Sequence, residues 1–197
     1  MSQKRSLRRE DIMPLAEYTK ERAERRRRSA AVKRRRRVEV GPFATFYFES
    51  YETMWQQIHE MLYIEKGGEE QIADELRAYN PLIPQGDELV ATVMLEIDDE
   101  ARRSTVLSRL GGIESHMFLQ LDGARIRGAA DADRENTREE DNKASSVQFV
   151  HFPFTAEQKR RFREPGAQVL VGFDHPNYGH LAVMPEEVRA ALAEDFS

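Results

Sequence analysis

Cysteine is absent from this 197-residue chain. Disulfides, thiolate nucleophiles, zinc fingers and any iron–sulfur cluster ligated by the chain itself are therefore excluded. Long apolar runs are missing too. No stretch approaches the ~18 uninterrupted apolar residues of a membrane-spanning helix, and no apolar segment follows the opening Met1-Ser2-Gln3-Lys4-Arg5. The expectation is a cytoplasmic, soluble protein with no membrane partner. Neither a Walker loop, nor Gly-x-Gly-x-x-Gly, nor a Gly-x-Ser-x-Gly elbow occurs, and no internal repeat or low-complexity linker divides the chain. What is present suffices for a core: 40% of residues are hydrophobic and 9% aromatic.

The formal net charge of -5 conceals a strong asymmetry. Residues 1–37 carry fifteen Lys or Arg against five Asp or Glu, and residues 38–197 carry the other fifteen against thirty. A basic helical N-terminal arm over 1–37 and a single acidic domain over 38–197 are expected. The two parts either attract each other or separate partners.

Proline at position 14 suits a first helical turn, and nothing from Leu15 to Arg37 is Gly or Pro. A helix over 14–36 is predicted, with acids near its start and Lys33 to Arg37 near its end, as the helix dipole favours. Glu21 with Arg25 and Glu24 with Arg28 are i,i+4 pairs. The apolar stripe is thin, with Leu15, Tyr18, Ala23, Ala30 and Val32 its best members, so the helix is expected to project from the body or lie across it.

Val38 and Val40, the Gly41-Pro42 turn and the aromatic run from Phe43 to Phe48 read as a hairpin. Ser50 can cap a helix over 51–66 that presents Met54, Ile58 and Leu62 on one face, and a shorter helix follows over 69–79. Alternation from Leu89 to Ile97 marks a strand, and further strands are predicted over 117–121, 125–127, 147–154, 168–173 and 181–183. Helices are expected after Asp98-Asp99, after Thr155 and from Pro185, and the polar segment 130–145 reads as a loop. Strands outnumber the helices between them and the gaps are short. The fold class is therefore α+β, a mainly antiparallel sheet with several helices and a projecting basic N-terminal helix.

The arginine runs are the first functional candidates. Arg25, Arg26, Arg28, Arg34, Arg35, Arg36 and Arg37 are candidate partner- or anion-binding residues. Consecutive residues on a helix are ~100° apart, so four in a row surround it rather than form one stripe. That arrangement suits an acidic environment better than a single nucleic-acid groove, and no aromatic is interleaved for base stacking. The alternative is neutralisation by acids of the same chain.

Other motifs fail on a missing ligand. In His59-Glu60-Met61-Leu62-Tyr63 a tyrosine stands where the helical zinc-protease signature needs its second histidine. Asp131-Ala132-Asp133 begins like a calcium loop, but Asn136 and Asn142 occupy its glycine and bidentate glutamate positions. Asp174 and His175, after the apolar run 169–173, are the best catalytic candidates, for acid–base or metal chemistry; the alternative is an ordinary turn shaped by Pro176. No cofactor is expected on the chain itself.

Several segments together resemble a bacterial family known only as a domain of unknown function. They include Arg9 to Leu15 with Glu17-Tyr18, Lys33 to Arg37, Phe46 to Glu49, Gln57 to Leu62, Ala78 to Pro84, Glu96 to Asp98, Ser146 to Gln148 and Asp174 to Tyr178. The resemblance implies genomic neighbours of rubrerythrin-like and iron–sulfur oxidoreductase type, hence a redox setting, and supplies no catalytic residues. His59 replaces a residue that is often Gln in that family. The resulting expectation is a non-enzymatic accessory protein that docks an acidic surface of a redox or iron protein through its arginine-rich helix. Nucleic-acid binding by the same helix, and an enzyme centred on Asp174 and His175, are the alternatives.

Overall fold

The structure, a computed structural model, describes residues 4–130, 137–138 and 142–197. The basic helix is α1 (Leu15–Arg34), followed by β1 (Arg37–Val40), β2 (Ala44–Phe48), α2 (Tyr51–Glu65), α3 (Gly68–Tyr79), β3 (Glu88–Leu95) and α4 (Glu100–Leu107). Next come β4 (Met117–Leu121), β5 (Ala124–Arg127), β6 (Ala129–Ala130), β7 (Thr137–Arg138), β8 (Lys143–Ala144) and β9 (Val147–Pro153). The chain closes with α5 (Ala156–Arg163), β10 (Val169–His175), β11 (Tyr178–Val183) and α6 (Glu186–Ala193). This is the α+β class with antiparallel sheets that the pattern predicted. Of the segment predicted as a loop, residues 131–136 and 139–141 lie outside the described ones, as does the discarded calcium-loop motif at 131–133.

Two sheets form the frame, in the orders β1-β2-β3-β9-β6 and β11-β10-β4-β5, and β7 pairs with β8 separately. Every pairing is antiparallel. Strand alternation explains why the sheets face each other. Val38, Val40, Phe46, Phe48, Leu89, Ala91, Val93, Val150 and Phe152 from the first sheet meet Met117, Leu119, Val171 and Phe173 from the second in one core cluster. Phe46 lies 5.2 Å from Phe173 and 6.3 Å from Phe152, ring centre to ring centre. Gly41 closes the β1–β2 hairpin at φ +71, where an added Cβ would come within 2.6 Å of the Tyr178 hydroxyl oxygen. Only glycine meets both demands.

A second cluster covers the outer face of the first sheet. Val90 of β3 packs there with Met54, Ile58 and Leu62 of α2, Ile72 of α3, and Leu7 and Ile12 from the segment before α1. The central strand β3 is thus covered on both faces, which is why nearly all of it is buried. Ser50 caps α2 by accepting from the Thr53 amide, while the Thr53 hydroxyl accepts from the Ser50 amide. Lys66 ends α2 in the left-handed conformation.

The basic helix does not project in the way that the fold reading expected: α1 lies across the body against α2, held there by Tyr18 and Arg22 on Glu60. Its inward side reads Tyr18, Arg22, Arg25, Ser29 and Val32, all buried or half-buried, while Leu15, Ala23 and Ala30 of the expected apolar stripe are exposed. The contact is mainly polar, so hydrophobic periodicity does not reveal which face docks.

Candidate functional site

The seam between α1 and α2 is built on Tyr18, which is fully buried. Its hydroxyl donates to Glu60 Oε1 at 2.6 Å and accepts from Gln56 Nε2. Burial, reinforced by Glu60, pushes the Tyr18 hydroxyl well above its ordinary range. Arg22 clamps the Glu60 carboxylate from α1 through Nε at 2.9 Å and Nη2 at 2.8 Å, and its guanidinium lies 4.1 Å over the Tyr63 ring. Burial acts upward on Glu60, but Arg22 and Tyr18 outweigh it and hold the carboxyl below its usual value.

His59 completes the seam. Only 1% exposed, it stacks on Trp55 at 3.7 Å, donates from Nδ1 to the Trp55 carbonyl at 2.7 Å and accepts the Met13 amide at Nε2. Those partners specify the neutral tautomer. Burial depresses its basicity. Both ring nitrogens are occupied, and among the described residues no group of three or more His, Asp or Glu is placed to hold a metal ion.

The arginine candidates separate into three kinds. Arg25 pairs with Glu21 at 2.7 Å and lies 4.6 Å over the Trp55 ring. Arg28 and Arg27 share Glu24, at 3.0 and 2.5 Å, and Arg26 approaches Glu60 at 3.9 Å. Arg36 is turned into the protein: it donates to the carbonyls of Phe48 and Glu49 and pairs with Asp195, both side chains being almost fully buried. It anchors α6 to the β2–α2 junction and presents nothing to a partner. Arg37 approaches Glu39 at 3.6 Å. Arg34 and Arg35 are exposed, with no ion pair to a described residue.

Beside this cationic end runs a groove with two lobes of about 410 and 400 Å³. α1 forms one wall, the segment around Lys4 the other, and the first turns of α2 the floor. Lys4, Val32, Tyr51 and Glu52 line both lobes; Arg28 and Trp55 stand in the first and Arg35 in the second. Sequence spacing gives no sign of this groove, because residues 4–11 reach it only through contacts with distant segments. Leu7 exchanges two hydrogen bonds with Asn80, and Trp55 Nε1 donates to the Asp11 carbonyl.

Asp174 and His175 lie within β10 rather than in a loop after it. The ladder continues through Asp174–Gly179 and His175–Tyr178, leaving Pro176 and Asn177 as the turn. Neighbouring strand residues point to opposite faces, so the two side chains part company. Asp174 meets His116 Nδ1 at 3.0 Å, Arg125 at 2.8 Å and Arg127 at 2.5 Å. Arg127 foremost, aided by His116 and Arg125, holds its carboxyl far below the ordinary range. His175 turns inward, where Nδ1 accepts from the Asn177 amide and Nε2 faces the Gly111 carbonyl at 3.3 Å. The Asp174 carboxylate is thus held by two guanidiniums and the His175 imidazole by backbone groups. His116, Arg125 and Arg127 have no sequence signature, since only the pairing of β4 with β10 on one side and β5 on the other brings them to Asp174.

No curated protein matches the chain. A crystal structure of a novel protein of unknown function from Burkholderia pseudomallei K96243 is similar to it, with 38% sequence identity, a TM-score of 0.90, and coverage of 98% of this chain and 100% of that one. No helix of the described residues is long and apolar enough to cross a membrane. Residues 6–196 match one family model, and the chain belongs to that family, described as a protein of unknown function (DUF3501).

Proposed function

We propose that the protein is a non-enzymatic accessory that docks an acidic surface of a partner protein through the C-terminal end of α1. The observation that carries this reading is the fate of the basic run: Arg36 is buried and used internally, whereas Arg34 and Arg35 beside it are exposed with no ion pair among the described residues. Guanidinium–carboxylate contacts are directional and bidentate, which suits selective docking. A redox or iron partner is the finer reading, supported by the family resemblance and by the lack of any cysteine that would let this chain hold its own cluster.

The test is co-purification from native cells with a tagged chain, comparing the natural sequence with Arg34→Ser/Arg35→Ser. Arg36 stays unchanged, because its loss would unfold the site. Partner recovery should fall in the double variant and decline as salt is raised. Equal recovery from both chains would refute the docking role, and a partner released by nuclease would reassign the surface to nucleic acid.

A further inference from the structure

We infer that β11 is the interface of a homodimer, pairing antiparallel with β11 of a second copy about a twofold axis at Leu181. The inference is independent of the docking reading above, which stands or falls on its own test. β11 ends the second sheet, so one side of its backbone has no neighbouring strand. The Met184 amide donates to the Val169 carbonyl, and the bonds of an antiparallel ladder alternate, so Tyr178, His180 and Ala182 turn their amides and carbonyls to β10. Those of Gly179, Leu181 and Val183 point to the open edge.

Natural sheets guard such edges with charge, proline, a bulge or brevity. The other three sheet ends follow that rule: β1 carries Arg37 and Glu39, β5 carries Arg125 and Arg127, and β6 has two residues. β11 does not. From Tyr178 to Val183 it has neither a fixed charge nor proline, and its register with β10 runs unbroken. Leu181 and Val183, 57% and 65% exposed, stand together on its outer face.

Self-complementarity identifies the occupant. With Leu181 facing its own copy, Gly179 faces Val183 of the second chain and Val183 faces Gly179, and each of these pairs exchanges both of its main-chain hydrogen bonds. No like charges meet along the seam. Gly179 has no need of glycine inside its own chain: its φ is not left-handed, and an added Cβ would meet nothing nearer than the His175 carbonyl oxygen at 3.9 Å. Close approach of another backbone accounts for a glycine in such a strand. A strand from a foreign protein could use the same backbone groups, but β11 offers no charge to select it. Each copy has one unguarded edge, so pairing closes at two. One strand from each copy is a small interface beside the ~1,600 Å² of a standard one, so the dimer forms with concentration, on the order of micromolar.

The test is sedimentation velocity of the full chain from low micromolar to several hundred micromolar. The mass should rise from one chain towards two. Leu181→Lys sets two ammonium groups face to face on the axis and should raise the dissociation constant at least about tenfold. Leu181 is exposed, and an unchanged circular dichroism spectrum checks that the variant is folded. The lack of cysteine permits a test of register. In Leu181→Cys the two thiols face each other, with Cα atoms about 5.5 Å apart, whereas in Val183→Cys an offset of four residues separates them by about 14 Å. A short bifunctional maleimide should join copies of the first variant and not of the second. A chain that stays monomeric at every concentration would overturn the dimer. So would a dimer as tight in Leu181→Lys as in the natural chain, or equal cross-linking of the two cysteine variants.

Discussion

At the scale of single residues, identical side chains one position apart have opposite roles. Arg35 ends α1 in solvent, while Arg36 is 7% exposed and spends its donors on Phe48, Glu49 and Asp195. Burial pushes the Asp195 carboxyl upward and Arg36 opposes it. Truncating one partner of a buried ion pair strands the other, so Arg36→Ala should lower unfolding stability by about 3–5 kcal/mol. Arg35→Ala should change it by less than about 0.5 kcal/mol. Urea unfolding of the two variants side by side is the measurement, and similar losses would mean that Arg36 is not the anchor described. His59 yields a pH prediction. Its basicity is depressed by burial, so the unfolded chain takes up a proton that the folded chain does not. Its contribution is complete above the unfolded value of about 6.5 and declines as pH falls from there towards the lower folded value. His59→Gln should show a flatter stability profile between pH 7 and 5 than the natural chain.

At the scale of elements, much was legible. The hairpin turn at Gly41, the capped start of α2 at Ser50 and the alternation in β3 each follow from local chemistry, and the i,i+4 pairs of Glu21 with Arg25 and Glu24 with Arg28 form as spaced. The docking face of α1 was not legible. Hydrophobic periodicity finds a face only when the contact is apolar, and here Tyr18, Arg22 and Arg25 hold the helix to Gln56, Glu60 and Trp55. The hydroxyl of Tyr18 is thus central to the seam. Tyr18→Phe retains the ring but leaves Gln56 and Glu60 without that partner, a loss of about 1–3 kcal/mol in denaturant unfolding. An unaltered midpoint would show that the polar seam contributes nothing. The extension of β10 through Asp174 and His175 also escaped the sequence, because Pro176 signals a turn without saying how far the ladder runs before it.

At the scale of the molecule, the first sheet belongs to both core clusters: Phe46 and Leu89 face the second sheet, and Val90 faces the helices. Damage to one cluster should therefore unfold the other. Phe46→Ala should cost about 3–5 kcal/mol, and Trp55 fluorescence, which reports the helical layer, should change at the same denaturant concentration as far-ultraviolet circular dichroism. Separate midpoints would show two independently stable layers. Charge is likewise settled at this scale. The surplus of cations in residues 1–37 is partly met within α1 and by Glu60, Glu69 and Asp195 of the remainder, leaving Arg34 and Arg35 outward.

Composition and spacing alone determined the class of fold, the positions of most helices and strands, and the absence of any thiolate chemistry. Those depend on periodicity, capping and residue type, which act over a few neighbours. Tertiary structure alone decided which arginines face solvent, that Asp174 meets His116 rather than His175, and that a groove opens beside α1. Each depends on residues 40 to 160 positions apart meeting in space, and no local pattern encodes such a meeting.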